Sequence, residues 1–158
     1  MSRITLGRWT FFLALAFTIL WTSGAAAKTV ILDDTGTQAL APAVALRWKS
    51  LAPGRSGADN LLVGTTTFRI RINVAPWLRR NVRIYLALPA QQPGPMTVSW
   101  VGQGQLLPGR LQSGNRALVY SGPITRPFLE DQVRFQFSVD GTLVARPFPV
   151  NLQFEMDE

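Results

Sequence analysis

Six segments of this 158-residue chain carry apolar side chains at every second position. Val44, Leu46 and Trp48 alternate with Ala45, Arg47 and Lys49. Phe68, Ile70, Ile72 and Val74 alternate with Arg69, Arg71 and Asn73. Val82, Ile84, Leu86 and Leu88 alternate with Arg83, Tyr85 and Ala87. The pattern returns in residues 96–100, 133–139 and 150–156. Successive side chains on a strand point to opposite faces, so each segment reads as a strand with one buried and one wet face. A helix needs a period near 3.6 residues. No window shows that period, although residues 77–80 have room for one turn.

Turn residues punctuate the runs: Pro53-Gly54, Pro93-Gly-Pro95, Pro108-Gly109, Gly114-Asn115, Gly122-Pro123 and Asp140-Gly141. Asp140-Gly141 is the strongest hairpin signal, because both residues tolerate the positive φ of a tight turn. It predicts that residues 133–139 are joined to a strand starting at Thr142. Pro147 and Pro149 then interrupt the ladder, which places that part at an edge, a bulge or a switch between sheets. Residues 29–33 form a short extended piece, and residues 116–121 a weaker strand. About seven short strands with single-sided alternation predict an all-β fold, an immunoglobulin-like antiparallel β-sandwich. A small closed barrel is the alternative.

The first 27 residues have a different character. Arg3 and Arg8 precede an apolar run from Trp9 to Trp21, followed by Ser23-Gly-Ala-Ala-Ala27 and Lys28. This is the layout of a secretory signal peptide, and the apolar run is shorter than the ~20 residues that span a bilayer. The reading is a signal over 1–27, cleaved after Ala27, and one β-sandwich domain over 28–158; an uncleaved anchor is the alternative. No Cys follows the run, which excludes a lipoprotein. The expected location is the periplasm or cell surface, with no membrane span after cleavage and no nucleic-acid partner. The remaining 158 − 27 = 131 residues suit a single core.

The chain has no His and no Cys. The commonest general base, thiolate nucleophiles and the usual metal ligands are therefore missing. Only nine acidic residues are present, most of them beside one another or beside turns. The expectation is no enzyme, no catalytic residue, no cofactor and no metal. Gly102-Gln-Gly104 follows a strand but precedes no helix, so it implies no phosphate cradle.

Removing Arg3 and Arg8 leaves 14 basic residues against nine acids, a net charge of +5, and twelve of the 14 are Arg. Arg69 and Arg71 share the wet face of one strand. Residues 75–80 turn the chain back and bring Arg83 onto a neighbouring wet face, and Arg134 joins if its strand lies in the same sheet. Such a stripe attracts anionic glycan or lipid headgroups. Trp77, in the same loop, either stacks on a sugar ring or plugs the sandwich end. The alternative is an ordinary solvated face balanced by acids such as Glu155 and Asp157. Trp48, Trp100, Phe68, Phe135, Phe137 and Phe154 all fall on inner positions and are expected in the core.

Leu40-Ala-Pro-Ala-Val-Ala-Leu46, Met96-Thr-Val-Ser-Trp-Val-Gly-Gln-Gly-Gln-Leu-Leu107 and the alternating strand over 149–156 resemble the pilins of alternate chaperone–usher fimbriae. The resemblance implies an incomplete immunoglobulin-like fold completed by a neighbour's N-terminal strand. It also implies partners that dock through strand edges, either other subunits or a periplasmic chaperone. The corresponding donor here is Val30, Ile31 and Leu32, within a segment that is short for the role. The groove would be lined by some of Phe135, Phe137, Leu152 and Phe154. The expected function is an exported, non-catalytic structural or accessory subunit of a pilus- or fimbria-like surface fibre, assembling by β-strand addition. The alternative is a monomeric binding module for anionic glycan or lipid headgroups.

Overall fold

In the computed structural model, residues 28–41, 44–50, 60–90, 95–142 and 150–157 are described. The signal-like segment 1–27, the turns at Pro53-Gly54 and Pro93-Gly94, and the continuation beyond Thr142 with Pro147 and Pro149 lie outside these residues.

The described residues form ten strands: β1 (Thr29–Ile31), β2 (Gln38–Ala39), β3 (Arg47–Trp48), β4 (Leu61–Asn73), β5 (Asn81–Leu88), β6 (Met96–Gly102), β7 (Gly109–Gln112), β8 (Asn115–Pro123), β9 (Phe128–Asp140) and β10 (Gln153–Asp157). They form two antiparallel sheets, β1-β10-β5-β8 and β2-β4-β9-β6-β7, with β3 also on the edge of β4. The sheets do not close on each other, so the fold is a β-sandwich rather than a barrel. No helix among the described residues is long and apolar enough to cross a membrane.

The inner faces carry the alternation seen in the sequence. Ile70, Ile72, Val133, Phe135, Phe137, Val98 and Trp100 from one sheet meet Ile84, Leu86, Leu88, Val119, Phe154 and Met156 from the other. Phe68 is half-buried and packs against this cluster. Trp48 departs from expectation and is 47% exposed. Its strand is only two residues long and hangs on the outer edge of β4, so its ring lies over Gly141 instead of between the sheets.

Two crossings close the sides of the sandwich. On one side the first segment straddles both sheets. Residues 29–31 pair with β10, then Asp33 bridges Asn73 and the chain runs along β4. On the other side β7 and β8 belong to different sheets and meet at a tight turn. Gly114 holds φ +85° there, a region that a side chain disfavours. The link between β4 and β5 is one turn of 3-10 helix, Ala75–Trp77, with Pro in its first turn. Trp77 is half-buried and packs against the core.

Candidate functional site

Two surfaces concentrate chemistry: the edge where β1 closes one sheet, and the outer face of the other sheet.

At the edge, β1 lies antiparallel on β10, with Thr29 opposite Asp157, Val30 opposite Met156 and Ile31 opposite Glu155. The amide of Leu32 donates to the Phe154 carbonyl at 2.8 Å. The proposed donor residues thus rest on their own chain's C-terminal strand. Leu32 is 3% exposed, Val30 is half-buried and Ile31 is 66% exposed, the inside–outside order of a strand. Leu32 shares one core with Phe135, Phe137 and Phe154, and Leu152 packs against it. Next comes a polar turn. Asp33 Oδ1 accepts from the amide and the hydroxyl of Thr35, and these bonds hold its carboxyl below the usual carboxylate range. Partial burial pushes Asp34 up.

The same edge is tied down by one arginine. Arg116, on β8, crosses the outer face and donates to both Asp157 oxygens at 2.7 and 2.9 Å. Its guanidinium lies 3.7 Å from Glu155 and 4.4 Å from the Tyr85 ring centroid. Thr29 donates its hydroxyl to Asp157. One carboxylate therefore links β1, β10 and β8, and the Arg116–Tyr85 contact adds β5. The Arg116 hydrogen bonds hold Asp157 below its ordinary value of 3.8. A lowered folded-state pKa stabilises the fold above that ordinary value, and the contribution disappears as pH falls through the folded value. The expected outcome is a fall in melting temperature below pH 3.8 that is visibly shallower in Arg116→Gln. A thermal-melt series from pH 6 to about pH 2.5 checks it.

The arginine face is built by strand parity. Odd positions of β4 and even positions of β9 point outward, placing Arg69 opposite Gln132, Arg71 opposite Glu130 and Arg134 opposite Thr67. Arg134 joins Arg69 and Arg71, as the sequence allowed. Arg83 does not; it sits on β5 in the other sheet, because the chain switches sheets at the 3-10 turn. Sequence reasoning missed Arg47 on β3 and Arg110 on β7, which share this face through their pairing with Val63 and Ser99. The run around Arg47 alternates, but nothing in it says which strand it pairs with, and the four-residue strand of Arg110 is too short to show a period.

Charge is sorted by sheet. Among the described strand residues, the outer face of the β1-β10-β5-β8 sheet holds Arg83 and Arg116 against Glu155 and Asp157, a balance of zero. Among the described strand residues, the opposite outer face holds Arg47, Arg69, Arg71, Arg110 and Arg134 against Glu130 and Asp140, 5 − 2 = +3. Both acids lie near the ends of β9 and both are engaged. Glu130 pairs with Arg71 at 3.1 Å, and Asp140 accepts from the amide and hydroxyl of Thr142. Arg71 also stacks over Phe128, 4.0 Å from its centroid. Arg69, Arg110 and Arg134 have no ion-pair partner among the described residues.

Gly102-Gln-Gly104 does cradle an anion, but the anion is internal. Asp131 is 7% exposed. It accepts from the amides of Gln103 at 3.1 Å and Leu106 at 2.8 Å. A Cβ on Gly102 would sit 2.8 Å from its Oδ2. No group of three His, Cys, Asp or Glu among the described residues could hold a metal ion. No family model matches the chain, and neither a characterised protein nor a solved structure is significantly similar to it.

Proposed function

We propose that the protein is an exported, non-catalytic building block of a pilus- or fimbria-like surface fibre that joins other subunits by β-strand addition, with β1 as the exchanged strand. One observation carries this reading. The first strand closes a sheet at its edge by pairing three residues with β10, then leaves through a turn containing Asp33, Thr35 and Gly36. The same bonds form whether β1 comes from its own chain or from a neighbour. Exchange therefore changes little in enthalpy, and concentration and the hinge set the balance. Backbone bonds along β10 give affinity, and Val30 and Leu32 entering the core give register. The lack of His and Cys fits a structural role.

The pairing supplies its own test. Ile31 and Glu155 are directly opposed on the outer face, where Cβ atoms lie about 4.5–5.5 Å apart, near disulfide range. The chain has no native Cys, so Ile31→Cys with Glu155→Cys introduces the only thiols. Oxidation of concentrated protein is expected to give a ladder of disulfide-linked oligomers on a non-reducing gel. Intramolecular monomer alone at every concentration would refute strand exchange.

A further inference from the structure

The geometry points to a second binding surface: the outer face of the β2-β4-β9-β6-β7 sheet holds a linear acidic polysaccharide, gripped by Arg69, Arg134 and Arg110. It is separate from the β1 edge and does not depend on strand exchange.

Register sets the rows of this face. Thr65, Gln136, Ser99 and Arg110 form one row across four strands. Thr67, Arg134 and Val101 form the next, and Gln38, Arg69 and Gln132 the next. Arg69 and Arg134 are diagonal neighbours, about 7–8 Å apart at their Cβ atoms. Arg110 lies two strands from Arg134, on the order of 10 Å across the sheet. The three guanidinium groups thus run obliquely over the sheet with hydroxyl and amide side chains between them. Two hollows flank the line. One of about 540 Å³ includes Gln38, Arg69, Arg71, Glu130 and Gln132. The other, about 630 Å³, includes Thr65, Ser99, Arg134 and Gln136.

The ligand class follows from these groups. A guanidinium fork matches carboxylate or sulfate with two parallel hydrogen bonds. Thr, Ser and Gln side chains both donate and accept, as sugar hydroxyls require. A polymer with an anion at intervals and hydroxyls between satisfies both sets. Single-stranded nucleic acid uses stacking aromatics, and none stands in these rows. A bilayer surface calls for apolar groups to insert beside the basic ones, and Val101 is the single exposed large apolar residue in them.

The test compares two triple variants of equal net charge in the full chain. Arg69→Gln/Arg110→Gln/Arg134→Gln strips the face. Arg79→Gln/Arg80→Gln/Arg83→Gln removes the same charge from the β4–β5 turn and the opposite sheet. All six side chains belong to exposed residues or lie at the sheet surface, and thermal melts verify that both variants fold. Binding to heparin and to polygalacturonate is measured by calorimetry at about 0.15 M salt, where long-range charge is largely screened. Stripping the face is expected to weaken binding about tenfold or more. The control is expected to stay within about twofold of the parent. Equal losses in both variants, no binding by the parent, or equal binding to anionic vesicles or single-stranded DNA would overturn the assignment.

Discussion

Phe135→Ala is expected to lower the stability of the fold by about 4 kcal/mol, the loss typical of a large aromatic side chain removed from a packed core. Phe135 is 1% exposed. It sits on β9, the strand that pairs with β4 on one side and β6 on the other, opposite Thr66 and Trp100. Its ring meets Phe68 edge-on at 5.5 Å, Phe137 in a stack at 6.2 Å and Trp100 at 6.4 Å. Truncation deletes three aromatic contacts and leaves a cavity lined by rings held on three different strands, which cannot collapse without moving the ladder. With a total near 5–15 kcal/mol for a domain, such a loss moves the urea midpoint by about 2 M at an unchanged slope. Phe135→Leu keeps most of the volume and is expected to cost less than half as much. A midpoint shift under about 0.5 M for the alanine variant would mean that β9 is not the centre of the core.

The strands that were legible in the sequence are those whose inner positions are all apolar. β5 and β6 have no interruption, and their predicted spans agree with the structure to within two residues. β4 and β9 are longer than predicted because polar or small residues occupy inner positions. Gly64 and Thr66 break the alternation in β4, and Asp131 breaks it in β9. Gly64 is small because Val44 and Leu46 lie over it, and Asp131 is there for a loop. Both reasons are tertiary and leave no periodic trace. In the sequence Pro108-Gly109 reads as a turn. Gly109 is in fact a strand residue with the Trp100 ring against it, where a Cβ would be 2.6 Å away. The candidate site was readable only within one strand pair. The Arg69–Arg71–Arg134 face follows from parity alone once β4 and β9 are neighbours. The exclusion of Arg83 requires the sheet switch, which no local pattern encodes.

Asp131 is the second residue whose loss is expected to be felt strongly. Its side chain takes an inner position of β9 where an apolar group belongs, and burial of a carboxylate there is unfavourable unless its oxygens are bonded. The loop after β6 supplies those bonds. The Gln103 amide donates to Oδ1 and the Leu106 amide to Oδ2. Gly102 and Gly104 let the backbone approach to within the space a Cβ would need. The return is structural. Leu106, 5% exposed, is carried into the core, and the next amide, Leu107, donates to Val119 on β8. The loop thereby ties one sheet to the other. The Trp100 indole adds a bond to the Leu107 carbonyl at 2.8 Å. Hydrogen bonds to a charged group are worth about 1.5–3 kcal/mol each, so Asp131→Ala is expected to cost about 3 kcal/mol after partial rehydration of the two amides. Asp131→Asn keeps the shape and one good acceptor but turns an NH2 toward a donor, and is expected to cost about half as much. Hydrogen exchange separates this account from general destabilisation. In Asp131→Ala the amides of Gln103, Leu106 and Leu107 should exchange much faster than those of β4 and β5, under conditions where the whole chain remains folded. Uniform acceleration across all strands, or a stability change below about 1 kcal/mol, would show that the carboxylate does not organise the loop.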